Sequence, residues 1–284
     1  MKKVLTACGA AVKITTIALW RSIMPVASGI YYYAFQSVRG DCPPVVLIHG
    51  AGGTHLSWPA EIRRLNGFCI YAPDLPGHGK SSAMDGQQTI AGYRQGVLTW
   101  LAALGLPRAV FVGHSMGGAI VLDLAIHHPE HVLGLGLVSS GPRLAVNSQI
   151  MEYAARPATG HKAVDALVEL SFSAHTAPQL AVLAGQGLNE TRPSVLHGDL
   201  LACQGFDVTE QVGAVRAPTL VICGAEDRIT PVRHSQFLAG AIASARLEVV
   251  PRAGHMVMLE HPQAVAEALK AFISAIPFWP GKDV

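Results

Sequence analysis

Residues 108–118 read Arg108-Ala109-Val110-Phe111-Val112-Gly113-His114-Ser115-Met116-Gly117-Gly118. The apolar run Ala109–Val112 has the length of a buried strand, and the apolar run Ala119–Ala125 favours a helix. Ser115 lies in the turn between them, with glycines two positions before and two positions after it. A serine on such a turn is forced into a strained backbone geometry, and its hydroxyl is exposed above the sheet. The stretch therefore predicts a strand–turn–helix unit that presents a serine nucleophile.

The rest of the chain alternates short apolar runs with helical patterns. Strands are predicted at Ile30–Val38, Val45–Ile48, Cys69–Ala72, Ala109–Val112, Leu133–Val138, Thr219–Cys223 and Arg246–Val250. Helices are predicted at Trp58–Leu65, Ile90–Leu104, Met116–His127, Val232–Ala241 and Pro262–Ala275. Buried strands that alternate with helices indicate an α/β fold, with a mostly parallel central sheet flanked by helices.

Residues 142–210 interrupt this alternation. No strand pattern occurs there, and prolines divide a segment dominated by alanine, leucine and valine. We predict an all-helical cap at 142–210, inserted into a core made of residues 26–141 and 211–284. Ligands bind at the carboxyl ends of parallel strands, so a cap inserted there would cover Ser115. Residues 1–25 are predicted to form an N-terminal extension.

Composition excludes several kinds of partner. Charged residues make up 14% of the 284 residues, the net charge is +2, and no lysine or arginine run occurs, so a nucleic-acid partner is not expected. The histidines show neither HExxH nor HxH spacing, so no metal site is predicted. No other cofactor is predicted either. We expect a small-molecule substrate and a monomer or homodimer.

The cysteines and the N-terminal segment bear on location. The five cysteines are scattered, without a CxxC pair, and Cys69 and Cys223 lie in apolar runs that predict buried free thiols. This usage favours a reducing cytoplasm. Lys13 and Arg21 interrupt the apolar N-terminal stretch, so no stable membrane insertion is expected. Weak contact of this segment with a membrane surface, or export through it, are the alternatives.

A serine nucleophile needs a base and an acid that orients the base. His255 follows the last predicted strand, and Asp227 follows the strand Thr219–Cys223. The order Ser115, Asp227, His255 is the one that serine hydrolases with this turn require. Three loops at one end of one sheet could converge on a common site. The rival acids are Glu226 and Asp207, and the rival base is His261.

The nucleophile also needs two backbone N–H groups to bind an oxyanion. Met116, at the start of the helix, is the first predicted donor. Ala51, in the loop His49-Gly50-Ala51-Gly52-Gly53, is the first choice for the second donor, and Gly52 is the second choice. Gly52, His114 and Met256 are predicted to contact substrate. For His114, a supporting role is an equal alternative.

Five motifs occur in a fixed order: His49-Gly50-Ala51-Gly52-Gly53, Asp74-Leu75-Pro76-Gly77-His78-Gly79-Lys80-Ser81, Gly113-His114-Ser115-Met116-Gly117-Gly118, Gly224-Ala225-Glu226-Asp227-Arg228 and Gly254-His255. With them, residues 26–276 resemble the α/β-hydrolase fold proteins, in particular the esterase-like group with a helical cap. The resemblance implies a serine hydrolase, most simply a carboxylesterase that cleaves small to medium apolar esters through an acyl-enzyme. The alternatives are a carbon–carbon bond hydrolase, a lyase or a perhydrolase with the same triad, or a ligand receptor on this fold.

Overall fold

A computed structural model describes residues 25–36 and 44–277 of the chain. The predicted N-terminal extension lies outside these ranges, apart from its last residue. Eight strands form one sheet in the order β1-β2-β4-β3-β5-β6-β7-β8. Their bounds are β1 Val26–Ala27, β2 Ile30–Gln36, β3 Pro44–Ile48, β4 Cys69–Pro73, β5 Ala109–His114, β6 Val132–Val138, β7 Thr219–Gly224 and β8 Ala245–Val250. Strand β2 pairs antiparallel with β1 and β4, and all other pairings are parallel, which confirms the mostly parallel sheet.

Helices cover both faces of the sheet. They are α1 Ala60–Arg63, α2 Ile90–Ala103, α3 Met116–His127, α4 Ser148–Ala154, α5 Gly160–Ser171, α6 Pro178–Asn189, α7 Pro193–Gln204, α8 Val232–Ala241, α9 Val257–Glu260 and α10 Pro262–Ser274. Successive residues of a strand point to opposite faces, so Val46 and Ile48 of β3 enter one apolar core while Val45 and Leu47 enter the other. This burial on both faces explains why the central strands read as continuous apolar runs.

The structure differs from the predicted elements near Trp58 and at the edge of the sheet. The helix predicted at Trp58–Leu65 is only the four-residue α1, preceded by a short 3-10 turn at His55–Ser57. Trp58 has a ψ of 119°, because the residue before a proline avoids the helical region and Pro59 follows it. The short strand β1 was not predicted. It pairs with β2 through a tight turn in which Ser28 and Gly29 both have positive φ.

Four helices, α4 to α7, lie between β6 and β7, and we call them the inserted helices. They share a small apolar core of their own, which includes Ile150, Val164 and Leu200. Where the chain leaves and re-enters the α/β part, Arg143 and Asp207 pair in an isolated antiparallel bridge. The inserted helices follow the carboxyl end of β6, the same end of the sheet at which β5 leads into Ser115.

The cysteines depart from the prediction at one position. Cys69 takes part in a disulfide bond, so the predicted free thiol is wrong there, whereas Cys203 and Cys223 are free and buried. Scattered spacing in the sequence does not reveal which thiols meet in the fold. Disulfides persist in oxidising compartments, so cysteine usage no longer favours a cytoplasmic location over export. None of the helices in the described ranges combines the length and apolar character needed to cross a bilayer.

Candidate active site

The turn between β5 and α3 holds Ser115 in a strained conformation. Its φ is 53° and its ψ is −117°, which residues with a side chain rarely adopt. A Cβ added at Gly113 would lie 2.2 Å from the carbonyl oxygen of Gly117, and one added at Gly117 would lie 2.3 Å from that of Ile48. Both distances are well below van der Waals contact. Only glycine fits at these two positions unless the backbone moves.

The loops after β7 and β8 bring Asp227 and His255 together. Nδ1 of His255 lies 2.9 Å from Oδ2 of Asp227 and 3.2 Å from its Oδ1. An ionised carboxylate only accepts hydrogen bonds, so we assign the ring proton to Nδ1, which leaves Nε2 as a basic acceptor. Both residues are buried, with 3% of His255 and 5% of Asp227 exposed. Little water therefore competes for this hydrogen bond.

Hydrogen bonds from its own loop hold Asp227 in the ionised state. Its Oδ1 accepts the backbone N–H groups of Ile229 at 2.9 Å and Thr230 at 2.8 Å, and its Oδ2 accepts the Thr230 hydroxyl at 2.8 Å. Burial alone would raise the pKa of Asp227, but the charge and hydrogen bond of His255, together with the bonds from Thr230, outweigh burial and lower the pKa to about 2. Asp227 can therefore orient the imidazole and stabilise its protonated form.

His114 links the loop after β8, which carries His255 and which we call the histidine loop, to the turn that carries Ser115. The ring centroids of His114 and His255 lie 4.9 Å apart, and Nε2 of His114 donates to the carbonyl oxygen of His255 at 3.1 Å. Burial, and then repulsion by His255, lower the pKa of His114 to about 3. The ring of His114 is therefore neutral at about pH 7. This buried contact places His255 beside the serine turn. It favours the supporting role of His114 over the predicted contact with substrate.

The rival titratable residues lie in other contacts. Glu226 pairs with the half-exposed His175 at 3.4 Å, and Asp207 accepts the N–H of Thr209 at 3.0 Å on the surface. Nε2 of His261 lies 3.2 Å from the carbonyl oxygen of Arg252. The structure therefore brings Asp227 and His255 together and places the rival residues in other contacts; the roles of acid and base stay predictions. The described residues contain no group of three or more histidine, cysteine, aspartate or glutamate side chains that could hold a metal ion.

The loop after β3 passes directly over the serine turn. A Cβ added at Gly50 would lie 3.2 Å from Cβ of Ser115. Within residues 25–36 and 44–277, the backbone N–H groups of Ala51 and Met116 donate to no protein acceptor. Two N–H groups beside a serine nucleophile, left without acceptors, are what an oxyanion requires. Ala51 and Met116 thus remain the predicted donors.

Gly52 does not fit its predicted roles. Its N–H donates to Oδ2 of Asp199 at 2.8 Å, and its carbonyl oxygen accepts the hydroxyl of Thr191 at 2.9 Å. A Cβ added at Gly52 would also meet the side chains of Leu188 and Leu196. The prediction of Gly52 as the alternative oxyanion donor is therefore wrong, because its N–H is already bound to Asp199. Contact of Gly52 with substrate stays a prediction.

Met256 lies where the histidine loop meets the inserted helices. Its N–H donates to the carbonyl oxygen of Ser171, at the end of α5, at 3.1 Å, and its half-buried side chain packs against one of the two sheet cores. The adjacent Gly254 approaches the same segment, since a Cβ added there would lie 2.8 Å from the backbone of Ser171 and Phe172. Contact of Met256 with substrate stays a prediction.

Two acidic residues that sequence reasoning missed support these loops. Asp199 on α7 is fully buried and accepts hydrogen bonds from Gly52, from Nε2 of His78 at 2.8 Å and from the Tyr93 hydroxyl at 2.5 Å. Glu260 on α9 accepts the N–H of Gly254, beside His255, at 2.8 Å. Asp199 lies far from its partners in the sequence, and both acidic residues lie outside the five motifs. The one signal for Asp199 is an acidic residue within an apolar helix.

Glu260 also binds the inserted helices. Its Oε2 accepts the N–H of Ser173 at 3.0 Å and the hydroxyl of Thr176 at 2.5 Å, in the segment between α5 and α6. The Ser173 hydroxyl donates in turn to the carbonyl oxygen of Arg252 at 3.0 Å. One carboxylate therefore fixes the loop of His255 and the segment between two inserted helices relative to each other.

Comparison with known proteins agrees with this architecture. The family described as having the alpha/beta hydrolase fold matches residues 43–262. A 2-hydroxy-6-oxo-6-phenylhexa-2,4-dienoate hydrolase of Burkholderia cepacia is 30% identical over 248 residues, which cover 79% of this chain and 85% of the relative. A pimeloyl-[acyl-carrier protein] methyl ester esterase of Chromobacterium violaceum is 32% identical over 250 residues, which cover 83% and 96%. The crystal structure of an enol-lactonase from Burkholderia xenovorans superimposes with a TM-score of 0.81 at 25% identity, over 87% of this chain and 98% of that one.

Proposed function

This chain belongs to the α/β hydrolase fold family, and we propose that it is a carboxylesterase that cleaves small to medium apolar esters through an acyl-enzyme on Ser115. The observation that carries the proposal is the buried hydrogen bond between Nδ1 of His255 and Asp227, 2.9 Å long. It leaves Nε2 of His255 basic, on a loop held against the strained serine turn. This is the arrangement by which a weakly nucleophilic hydroxyl becomes reactive.

The reaction follows from these positions. Ser115 attacks the ester carbonyl while His255 accepts the hydroxyl proton at Nε2, and Asp227 stabilises the imidazolium that forms. The N–H groups of Ala51 and Met116 bind the oxyanion of the tetrahedral intermediate. His255 then protonates the leaving alcohol, which departs and leaves the acyl group on Ser115. A water molecule, deprotonated by His255, releases the carboxylic acid and restores the serine.

Apolar side chains favour an apolar substrate. Leu188 and Leu196 of the inserted helices lie directly on the loop that carries Ala51, as the contacts at Gly52 show. Helix α6 contains no charged residue. A charged substrate would lose its hydration against such a surface without gaining an ionic partner. The pimeloyl ester esterase to which the chain is similar acts on a carboxylic ester, which is consistent with this reaction class.

A carbon–carbon bond hydrolase is the second candidate. It is favoured by the 30% identity to the dienoate hydrolase of Burkholderia cepacia. The same serine, base and oxyanion donors would serve such a reaction, so the two activities differ in substrate rather than in the parts described above. Only turnover of both substrate types separates them.

The test is a rate comparison on two panels. Wild type and Ser115→Ala would be assayed on p-nitrophenyl esters from acetate to palmitate and on a 2-hydroxy-6-oxo-dienoate. Steady turnover of the esters by wild type, lowered by more than about 10³-fold in Ser115→Ala, would support the carboxylesterase, and the best chain length would size the pocket. Turnover of the dienoate alone would replace it with the second candidate.

A further inference from the structure

The loop His49–Gly53, which we call the oxyanion loop, carries the predicted oxyanion donor Ala51. The inserted part of the chain binds both backbone polar groups of Gly52 in this loop. Asp199, on α7, accepts the N–H of Gly52 at 2.8 Å, and Thr191, just before α7, donates its hydroxyl to the carbonyl oxygen of Gly52 at 2.9 Å. Asp199 is 0% exposed and Thr191 is 8% exposed. Gly52 has a φ of 65°, a conformation that glycine tolerates and that the loop needs in order to turn. The two side chains thus fix this turn from above.

The carboxylate of Asp199 is itself fixed inside the protein. Nε2 of His78 lies 2.8 Å from its Oδ2, and the hydroxyl of Tyr93 donates to its Oδ1 at 2.5 Å. Burial opposes the charged form of His78, but the charge and hydrogen bond of Asp199 outweigh burial and raise the pKa of His78. A buried carboxylate that accepts three hydrogen bonds has little freedom to reorient. The N–H of Gly52 therefore has a rigid acceptor.

The preceding peptide group is held from the other side. Nε2 of His49 accepts the N–H of Leu75 at 3.0 Å, so its Nδ1 carries the proton and donates to the carbonyl oxygen of Gly50 at 2.8 Å. That carbonyl shares a planar trans peptide with the N–H of Ala51, so fixing the carbonyl also fixes the direction of this N–H. Asp199 fixes the next peptide, between Ala51 and Gly52. Both peptide planes that flank Ala51 are thereby set.

From this arrangement we infer that Asp199 and Thr191 are positioning residues for the oxyanion donor Ala51, which makes the inserted helices part of the catalytic apparatus and not only a cover over it. The inference rests on the proposed function, because it assigns a role in stabilising the oxyanion. The direction of a preorganised donor matters, since a misplacement of about 1 Å can cost about 100-fold in rate. Loss of either side chain should therefore lower the rate of the chemical step more than it weakens substrate binding.

Three variants test the inference. Asp199→Ala removes the acceptor of the Gly52 N–H. Asp199→Asn keeps an oxygen for that N–H without the charge. Thr191→Val removes one hydroxyl at nearly constant shape. Thr159→Val is the matched control, because the Thr159 hydroxyl also donates to a backbone carbonyl within the inserted helices, that of Tyr153 at 2.8 Å.

The measurements are kcat per serine titrated with a fluorophosphonate, KM on the best p-nitrophenyl ester, and Ki for an alkyl trifluoromethyl ketone, whose adduct with serine carries an oxyanion. We expect kcat to fall about 10- to 100-fold in Asp199→Ala, with Ki rising in parallel and KM changing less than about threefold. Asp199→Asn should retain more activity than Asp199→Ala. Thr191→Val should lose more than Thr159→Val.

Two outcomes would overturn the inference. One is an unchanged kcat per titrated serine in Asp199→Ala or, if that variant does not fold, in Thr191→Val. The other is an equal loss in Thr191→Val and Thr159→Val, which would assign the effect to packing of the inserted helices. Failure of the proposed function is a separate result: wild type itself would then not turn over the esters, whether or not it reacts with the fluorophosphonate.

Discussion

Lowering the pH from about 7 to about 5 should destabilise the fold through two buried histidines beside the serine turn. Burial, together with repulsion by His78, lowers the pKa of His49 from 6.5 to about 4. Burial and the neighbouring His255 lower the pKa of His114 to about 3. Both rings stay neutral in the folded state at about pH 5, whereas the unfolded chain protonates both below about pH 6.5. Protons then favour the unfolded state.

The magnitude follows from the distance between pH and the unfolded pKa. At about pH 5 each histidine lies about 1.5 units below 6.5, which corresponds to about 2 kcal/mol at about 1.4 kcal/mol per unit. The two together should remove about 4 kcal/mol from the free energy of unfolding, a large part of the usual 5–15 kcal/mol. His78 adds no loss in this window. Its pKa is raised by Asp199, so its stabilising effect is complete below about pH 6.5.

The assay is urea unfolding at about pH 7 and about pH 5, followed by tryptophan fluorescence. His49→Gln keeps a donor and an acceptor at the ring position and should remove about half of the pH-dependent loss. His161→Gln, at an exposed position on α5, is the matched control and should leave the loss unchanged. A decrease below about 1 kcal/mol in the wild type would show that these two histidines do not stay neutral in the folded state at about pH 5. Acidification below about pH 4 is avoided because carboxylates such as Asp227 then begin to contribute.

Two further predictions concern the acid and the serine turn, and each has a control variant. Asp227→Asn should lower kcat on the order of 10⁴-fold, because the amide favours the wrong imidazole tautomer. In the control Glu226→Gln, kcat should stay within a few fold of the wild-type value. A comparable loss of kcat in both variants would contradict the assignment of Asp227 as the acid. Gly117→Ala should cost about 3 kcal/mol or more by urea unfolding, since its Cβ would meet the backbone of Ile48 at 2.3 Å. In Gly187→Ala, on α6 with open space around the added Cβ, stability should stay level or rise by up to about 1 kcal/mol, and an equal decrease in both glycine variants would contradict the steric argument.

The sequence predicted the central strands and the serine turn because local pattern and local sterics determine them. An apolar run such as Ala109–Val112 needs burial on both faces. The glycines two positions before and after Ser115 indicate the tight turn between a strand and a helix. Asp227 and His255 could be predicted because strands of one parallel sheet deliver their following loops to one edge. These inferences need only the order of elements along the chain.

Contacts between elements that lie far apart in the sequence could not be predicted. Asp199 contacts Gly52 only because α7 packs over the loop after β3. The residues next to Asp199 in the sequence do not indicate this contact. The donor choice between Ala51 and Gly52 depended on that contact. The disulfide at Cys69 was missed for the same reason, since spacing along the chain does not reveal proximity in space. The shortened helix near Trp58 could have been predicted from the proline that follows it.

The proposed reaction depends on Ser115 being a nucleophile activated by His255. The most direct measurement is the mass of the protein after reaction with a fluorophosphonate, with the modified peptide identified by tandem mass spectrometry. We predict one adduct on Ser115 in the wild type, none in Ser115→Ala, and labelling slowed by more than about 10³-fold in His255→Ala. Labelling of another residue, or equal rates in wild type and His255→Ala, would contradict the account.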